Sequence, residues 1–316
     1  MAQVEDCISE FSLVVPKTAA GMRLDAFLGQ SLDEFSRSYL KKLIQQGLIT
    51  IAGLVPKPSR SVKPGEEIEI RIPTPESWDV VPQEIPISIV YEDSSIVVVN
   101  KSAGMVVHPS PGHRDGTLVN ALLHHCGELP GINGVLRPGV VHRLDAGTSG
   151  LIVFARDDRA MSSLTAQFKN REVRKRYFAI VHGEIPRDHF IIDEPIGRHR
   201  TDFRRMAVRR DVGKHAVTEI LSTRPFHGFS AVHVAILTGR THQIRVHMRH
   251  IGHPLVCDSL YGREAVFPPE NPTLQRCALH SYSLSFRHPV GGRNMHFSAP
   301  LPDDIRLTLF RLKEQR

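Results

Sequence analysis

Apolar residues in the first seventy positions follow a helical period and then an alternating one. The stretch GMRLDAFLGQSL places Leu24, Phe27 and Leu28 on one face of a predicted helix. The stretch SRSYLKKLIQQG predicts a second helix, with Ser36 as its N-cap. In KPGEEIEIRI a Pro-Gly turn precedes isoleucines that alternate with charged residues, which is typical of a half-buried strand. Residues 11–72 are therefore predicted to form a small α/β module.

The pattern changes over residues 73–86. The sequence PTPESWDVVPQEIP is rich in proline and has little apolar periodicity, so we expect a linker here. It contains the only tryptophan of the chain, Trp78, to which we assign no function.

Short strands and short helices alternate over residues 87–316. Apolar or alternating runs predict strands at ISIV, SIVVVN, GVVHRL, GLIVFA, KRYFAIVHG, AVTEILS and SAVHVAIL. Helical periods predict helices at TLVNALLHH, DDRAMSSLTAQFK and THQIRVHMRHIG, and Thr241 is the expected N-cap of the last one. This order favours an α+β domain with a mixed, mostly antiparallel central sheet and flanking helices.

One carboxylate interrupts the apolar pattern in VVHRLDAGTSGLIV. Arg143 and Asp145 follow a run of β-branched residues and are expected at or near the end of a strand. Asp145 could be a helix cap or half of a structural ion pair. It could also be a catalytic carboxylate that acts as a nucleophile or a base. The residues alone leave both readings open.

The stretch LTGRTHQIRVHMRHIGHP supplies a possible cationic partner. On a helix that starts at Thr241, the side chains of His242, Arg245 and Arg249 share a face. Arg245 could keep a neighbouring carboxylate ionised, since an adjacent cation favours the charged form. Arginines interleave with the four histidines here, and no carboxylate occurs before Asp258, so a metal site is not predicted.

Tyr177 lies in KRYFAI, where the alternating pattern fits a core tyrosine on an amphipathic strand. An aromatic ring that faces the site could instead stack on a base. GTSGL is not a hydrolase nucleophile elbow, because Leu151 stands where the last glycine belongs.

Composition points to an anionic partner and a reducing compartment. The 316 residues carry a formal charge of +7 and a pI near 9.4, which favours an anionic partner: nucleic acid, an acidic membrane surface or an acidic protein. The four cysteines are far apart and are expected to be free thiols. No leader-like segment and no apolar run long enough to cross a membrane is visible, so we expect a cytoplasmic protein that does not associate with membranes.

Two basic stretches are candidates for phosphate contact. Arg37 and Lys41 share an exposed face of the second predicted helix, and Lys42 adjoins them. GRHRTDFRRMAVRR, which includes Arg204 and Arg205, reads as a basic loop or hairpin with a single acidic residue. Either stretch could contact RNA phosphates or form an ordinary solvated surface.

The chain resembles the RluA/RluD-type pseudouridine synthases of ribosomal and transfer RNA. The blocks that carry the likeness are VYEDSSIVVVNKSAGMVVHPSPG, GVVHRLDAGTSGLIVFAR, KRYFAIVHG and TGRTHQIRVHMRHIGHPLVCDSLYG. Residues 11–72 resemble the S-four-like RNA-binding domain, although Ala52 stands where asparagine is usual. Ala146 and Gly147 stand where the family often has lysine and aspartate, which puts the local turn geometry in doubt.

The resemblance implies a role for each candidate in the catalytic domain, which we expect to span 87–316. Asp145 matches the aspartate that acts on the ribose of the target uridine. Tyr177 matches the tyrosine that packs beneath the base and assists proton removal from carbon five. Arg245 matches the basic residue that pairs with the aspartate. The substrate-binding candidates are Arg143, which would fill the gap left by the flipped nucleotide, together with His142 and Arg240.

The implied activity needs no cofactor and no metal, and RNA is the implied partner. Large-subunit ribosomal RNA is favoured, and a transfer RNA pseudouridine synthase of the same family is the alternative. A non-catalytic RNA-binding protein would not need the Asp145, Tyr177 and Arg245 set. A glycoside hydrolase would need a second carboxylate, and none stands out. We expect a monomer.

Overall fold

The computed structural model describes most of the chain. The described residues are 7–32, 37–73, 80–110, 113–130, 138–202, 204–262 and 274–314. The chain divides into two compact units, Met1–Trp78 and Asp79–Arg316. Within the described residues, neither unit has a helix long and apolar enough to cross a membrane.

The smaller unit combines an antiparallel sheet with two helices. The sheet has the strand order β1-β3-β2. The elements are β1 (Cys7–Val14), α1 (Leu24–Ser31), α2 (Arg37–Gln45), β2 (Ile49–Ile51) and β3 (Glu67–Pro73).

The predicted apolar positions form the core of this unit. Leu24 and Leu28 of α1 are fully buried, and so are Ile68 and Ile70 of β3. The helical and alternating periods of the sequence are thereby confirmed. The N-cap predicted at Ser36 lies outside the described residues. Strand β1, which completes the sheet, was not predicted.

The larger unit begins with two strands and continues with helices placed between strands. Its elements are β4 (Ser88–Glu92), β5 (Ile96–Lys101), α3 (Leu118–Cys126), β6 (Ser149–Ala155), α4 (Asp158–Lys169), β7 (Arg174–His182), β8 (Phe190–Asp193), β9 (Ile196–Arg198), β10 (Met206–Val208), β11 (Val217–Phe226), β12 (Phe229–Ile236), α5 (Gln243–His250), β13 (Leu279–Arg287), β14 (Asn294–Ser298) and α6 (Asp303–Glu314).

A mixed sheet forms the centre of this unit. Its strand order is β4-β5-β6-β13-β7-β12-β11-β8, and β14 pairs with β13. The β6–β13 pair is parallel, whereas the other pairs are antiparallel. Strands β9 and β10 form a separate antiparallel hairpin. The predicted α+β fold, with a mixed and mostly antiparallel sheet, is confirmed.

Strand β6 is buried at every position, because both faces of the sheet are covered there. Ile152 and Phe154 enter one hydrophobic cluster, which also contains residues of α3 and α5. Leu151 and Val153 enter another cluster, which contains residues of α4. An apolar run without alternation is what a strand covered on both faces requires.

The strand predicted at GVVHRL is wrong. Val140 makes a single isolated bridge to Phe154, and the segment is otherwise irregular. The Val153 amide donates to the Nε2 atom of His142 over 3.1 Å. The imidazole of His142 therefore accepts the hydrogen bond that a backbone carbonyl would accept if this segment were a strand. The apolar pattern reported burial correctly, but burial alone does not distinguish a strand from a packed loop.

We predict that Gly150→Ala destabilises the protein strongly. Gly150 has a φ of +113°, and a Cβ there would overlap the backbone of Ser281 on β13. Left-handed strain and overlap together should lower the free energy of unfolding by about 2–5 kcal/mol, measured by urea denaturation. The control is Gly291→Ala, at φ +79° with no atom within 4 Å of the added Cβ. An equal loss in both variants would contradict the overlap at Gly150.

Candidate active site

The segment over residues 138–148 carries Asp145 and is held through backbone atoms. The Thr148 amide donates to the Asp145 carbonyl over 3.0 Å, which closes a tight turn. The Gly104 amide donates to the Ala146 carbonyl over 2.8 Å. The position of the carboxylate is therefore set by its neighbours' main chain.

Lys101, at the end of β5, strengthens this attachment. Its side chain is 1% exposed. Its Nζ donates to the carbonyls of Ser102 and Met105 at 2.8 Å each and of Ala146 at 3.2 Å. Burial lowers the pKa of Lys101. The three carbonyl acceptors nevertheless match in number the three N–H donors of an ammonium group. Sequence reasoning missed this residue, although a lysine that closes the buried run IVVVN is a visible anomaly.

The departures from the family pattern at Ala146 and Gly147 are both accommodated. The side chain of Ala146 is exposed. A Cβ at Gly147 would meet only the Sγ atom of Cys277, at 3.4 Å. Neither position needs its residue type to maintain the turn.

Arg245 of α5 lies beside Asp145, as the sequence predicted. Its Nη1 atom is 3.4 Å from Oδ2 of Asp145. The two side chains are 9% and 18% exposed, respectively. The carboxylate and the guanidinium therefore form an ion pair that is largely shielded from solvent.

Arg245 makes a closer pair with Asp258. Its Nε and Nη2 atoms donate to the two carboxylate oxygens over 2.6 and 2.7 Å. Burial acts to lower the pKa of Arg245, but the hydrogen bonds and charge of Asp258 outweigh it and raise the pKa. The guanidinium is therefore permanently charged, and its remaining Nη1 edge is directed at Asp145.

Asp258 is itself fixed by backbone donors. Its side chain is fully buried, and the amides of Leu260 and Tyr261 donate to its Oδ1 over 3.0 and 3.1 Å. Sequence reasoning noticed Asp258 only as a distant acid. Nothing in the local sequence pattern indicates that the loop after α5 places Asp258 against Arg245.

The buried ring of Tyr261 connects this pair to the β9–β10 hairpin. The ring centroid lies 5.0 Å from the guanidinium of Arg245. The Tyr261 hydroxyl accepts a hydrogen bond from the Met206 amide over 2.7 Å. The same hydroxyl lies 2.8 Å from Nδ1 of His242. Sequence reasoning missed both Tyr261 and this use of His242.

Tyr177 lies on β7, opposite Val234 of β12 and Ser281 of β13. It is 5% exposed. Burial raises the pKa of its phenol, and the charge of Asp145 adds to this effect, against a hydrogen bond with Ser281. The phenol is therefore neutral at physiological pH.

These side chains meet around one small cavity, which we call the catalytic cavity. Its volume is about 70 Å³. The lining includes five of the six predicted catalytic and substrate-binding residues, namely Arg143, Asp145, Tyr177, Arg240 and Arg245. The arrangement offers one carboxylate, a fixed cation and an aromatic ring, which suits proton transfer or nucleophilic attack on a flat ligand.

The two arginines predicted to bind substrate differ in how they are held. Arg143 is exposed, and no hydrogen-bond partner of its side chain is found in the described part of the chain. Arg240 donates through Nε to the His215 carbonyl over 3.0 Å. The side chain of Arg143 is therefore less constrained than that of Arg240.

His142 does not line the catalytic cavity. Its ring stacks on Phe168 with centroids 4.5 Å apart, and it accepts the hydrogen bond from Val153. Burial lowers the pKa of His142 to about 3, so the ring is neutral. Its contacts hold the segment against β6 and do not face Asp145.

The N-cap predicted at Thr241 is wrong. Helix α5 begins at Gln243, and its N-cap is His242 in the left-handed region, with φ 56°. Gln243 takes over the capping contacts, since its Oε1 accepts from the Arg240 amide over 3.1 Å. His242 therefore does not share a helical face with Arg245, and its ring lines the catalytic cavity from the helix terminus.

Comparisons with known proteins agree on one family. The family model for RNA pseudouridylate synthase matches residues 95–250, and that for the S4 domain matches residues 22–68. An uncharacterized RNA pseudouridine synthase of Bacillus subtilis is 41% identical over 97% of this chain and 99% of its own length. The chain belongs to the RNA pseudouridine synthase family. It is therefore an isomerase that acts on RNA, as the sequence motifs indicated.

Two further relatives support the family assignment. The ribosomal large subunit pseudouridine synthase D of Zymomonas mobilis is 43% identical, over 92% of this chain and 94% of its own length. The solved structure titled human RNA pseudouridylate synthase domain containing 1 has a TM-score of 0.56 and 26% identity, and the match covers 74% of this chain and 97% of that one. The sequence and the fold of this synthase point to the same family.

The basic helix of the S4 unit presents two lysines to solvent. Lys41 and Lys42 are exposed, and no ion pair of either is found among the described residues. Arg37 instead donates to Asp25 over 2.9 Å. Asp25 also binds Arg23, and these hydrogen bonds lower its pKa to about 2. Lys41 and Lys42 are thus the better placed of the three predicted RNA-binding residues.

The arginines predicted to bind RNA in the hairpin stretch are partly committed to the protein. Arg205 donates through Nε to the Leu260 carbonyl over 2.7 Å and lies 5.8 Å from the Tyr261 ring. Arg204 is highly exposed and lies 3.4 Å from Asp202. Of the two, Arg204 retains the freedom to meet a phosphate.

A possible metal-ligand group lies away from the catalytic cavity. Within the described residues, Glu92, His125 and Cys126 place ligand atoms within 4.8 Å of one another. Arg156 already donates to Glu92 over 2.8 Å, and His125 lies 2.8 Å from the other carboxylate oxygen. The acid is thus neutralised by these neighbours, and we assign no ion here.

We predict that Asp258→Asn disrupts the site and the fold together. The change leaves the Arg245 guanidinium buried without its bidentate partner, which should lower the free energy of unfolding by about 3–5 kcal/mol. Urea denaturation measures this loss. Asp202→Asn, which alters the exposed pair with Arg204, is the matched control and should leave stability unchanged. Indistinguishable stabilities would show that the buried pair does not hold the site.

Proposed function

We propose that the protein converts uridine to pseudouridine in large-subunit ribosomal RNA, and that Asp145 acts on the ribose of a uridine turned out of its helix. One observation carries the proposal. A half-buried carboxylate lies 3.4 Å from a fixed guanidinium, in a cavity that a tyrosine also lines. Because the family modifies RNA, we take RNA as the substrate of this site.

The proposed reaction exchanges one bond for another within the same nucleotide. Asp145 attacks the ribose, or removes a proton from it, and the bond from ribose to uracil nitrogen one breaks. The freed uracil turns within the cavity, and its carbon five then bonds to the ribose. In the attack route this new bond displaces Asp145 from the ribose; in the other route Asp145 returns the proton that it removed. The proton on carbon five is lost to solvent and nitrogen one gains a proton, so the product is an isomer of the substrate.

The electrostatics of the catalytic cavity suit this chemistry. A carboxylate in a largely dry site would favour its neutral form, because burial penalises charge. Arg245 opposes this effect, and Asp258 keeps Arg245 charged. Asp145 therefore lies beside a fixed positive charge, which suits either attack or proton removal.

Tyr177 is proposed to support the base and not to act as a phenolate. Burial raises the pKa of its phenol above the ordinary value, so the ionised form is scarce at neutral pH. Its ring forms part of the cavity wall, where a uracil can pack against it. Its hydroxyl assists loss of the carbon-five proton by hydrogen bonding.

Flipping of the target nucleotide accounts for Arg143. A uridine within a helix cannot present its ribose-base bond, and extrusion costs a few kcal/mol. Arg143 is exposed at the rim of the catalytic cavity. A planar guanidinium inserted in the vacated position would recover part of the lost stacking.

The choice of ribosomal RNA rests on the relatives. Several of them are named ribosomal large subunit pseudouridine synthase D. The S4 domain carries a basic surface of its own, separate from that of the catalytic unit. Transfer RNA is the alternative substrate.

The proposal also assigns a role to each part of the chain. We infer that residues 11–72 bind RNA, that 73–86 form a linker and that 87–316 catalyse the reaction. We propose that the protein works as a monomer and without a cofactor. Modification of bacterial ribosomal RNA would take place in the cytoplasm.

We predict that Asp145→Ala abolishes the reaction while RNA binding persists. Wild-type protein with EDTA should release tritium from an unmodified large-subunit ribosomal RNA transcript labelled at carbon five of uridine, and not from transfer RNA transcripts. Filter binding measures RNA affinity in parallel. Asp202→Ala serves as the control and should keep full activity. Tritium release that survives in Asp145→Ala would exclude this aspartate as the catalytic group.

We predict that Tyr177→Phe slows tritium release by about 2- to 10-fold, because one hydrogen bond contributes about 0.5–1.5 kcal/mol. The aromatic wall remains in this variant, so the Michaelis constant for the RNA should change little. Tyr177→Leu, which removes the ring, should also weaken RNA binding. Full activity in the Phe variant would leave the hydroxyl without a catalytic part.

A further inference from the structure

A second cavity adjoins the catalytic cavity and is strongly cationic. Its volume is about 410 Å³, and it shares the wall formed by Tyr177. No aspartate or glutamate lines it among the described residues. The cationic residues of its lining are Arg143, Lys169, Arg171, Lys175 and Arg240.

Lys175 is less exposed than Arg143, Lys169 and Arg171. It lies two residues before Tyr177 on β7, so both side chains point to the same face of the sheet. Its Nζ lies 5.4 Å from the centroid of the Phe168 ring. In the part of the chain that the structure describes, its ammonium has no hydrogen-bond acceptor and no carboxylate partner. Burial lowers its pKa to about 8, which expresses the cost of this isolation.

Several cations elsewhere in the catalytic unit are paired with acids. Arg209 forms a bidentate pair with Asp211, with both hydrogen bonds at 2.7 Å. Arg210 pairs with Glu194. By contrast, Arg143, Lys169, Arg171 and Lys175 have no carboxylate partner among the described residues. A concentration of unpaired positive charge around one cavity indicates a binding site for an anion.

We propose that this second cavity binds a phosphate group of the RNA backbone next to the target uridine, with Lys175 as its central ligand. The proposal rests on the function proposed above. Lys175 and Tyr177 are separated by two residues of strand, about 6.6 Å. A phosphate that flanks a uridine held against Tyr177 is therefore within reach of Lys175. We call this site the phosphate cavity.

The position of the phosphate cavity has a consequence for binding and for rate. Contacts to phosphate orient RNA without reading its sequence. Lys175 lies outside the lining of the catalytic cavity, so it touches neither the ribose nor the base. Its loss should weaken RNA binding and leave the chemical step intact.

The first experiment compares Lys175→Met with Lys214→Met. Lys214 is an exposed lysine outside both cavities, so the control removes the same charge. Tritium release from the ribosomal transcript should show a KM about tenfold higher for Lys175→Met, with kcat within twofold of wild type. The slope of log affinity against log salt should also fall by about 0.7–0.9. Lys214→Met should leave the KM, the kcat and the salt slope unchanged.

The second experiment uses pH. As pH rises from 7 to 9, Lys175 of the free protein loses its proton, so the KM of wild type should rise. Lys175→Arg stays charged, and its KM should stay low over this range. His142 and Tyr177, which also face the cavity, stay neutral throughout, because burial lowers the pKa of the first and raises that of the second. The other charged groups that line the cavity are Arg143, Lys169, Arg171 and Arg240.

The third experiment locates the phosphate. A neutral methylphosphonate is placed at the linkage on either side of the modified uridine, in a ligated transcript. One of the two should raise the KM of wild type about tenfold and leave that of Lys175→Met unchanged. If neither linkage shows this coupling, the phosphate cavity is wrong.

The outcomes separate this proposal from the proposed function. If wild type forms no pseudouridine in the ribosomal transcript, the proposed function fails. If wild type is active and Lys175→Met behaves like Lys214→Met, only the phosphate cavity fails. A loss of kcat at constant KM would also overturn the phosphate cavity, because it would place Lys175 in the chemical step.

Discussion

The bidentate pair between Arg245 and Asp258 is the constraint on which the site depends. A buried guanidinium is costly unless its donors are satisfied, and Asp258 satisfies two of them while two backbone amides hold Asp258. Only the Nη1 edge of Arg245 is then left to face Asp145. The carboxylate of Asp145 thus lies beside a cation whose position is fixed by the loop after α5. In the proposed reaction, one group holds the charge while another does the chemistry.

Much of this arrangement could be predicted from the sequence, and the failures share a cause. The periods of β3, α1 and α4 report which side chains are buried, and the motifs around Asp145, Tyr177 and Arg245 report which side chains meet. Residues that act through distant contacts carry no such signal. Asp258 and Lys101 look like isolated charges until the fold brings their partners to them. The strand expected at GVVHRL fails for a related reason, since an imidazole replaces a carbonyl in its hydrogen bonding.

Charge on the catalytic unit is organised in two ways. The hairpin arginines Arg209 and Arg210 are paired with acids, which holds their side chains in place and screens them. Around Tyr177 the cations lack such partners and border a concave surface. Net charge alone does not distinguish these cases, because the same number of arginines can stabilise a hairpin or attract a polyanion. The distinction appears only when each cation is traced to its neighbours.

The turn at Ala146 is held by contacts that do not depend on the side chain at this position. The Gly104 amide and the Lys101 ammonium both donate hydrogen bonds to the carbonyl of Ala146, and its side chain is exposed. Every amino acid offers the same carbonyl. Substitutions at this position can therefore accumulate over evolutionary time, or be chosen to carry a spectroscopic label, while the neighbouring carboxylate keeps its place.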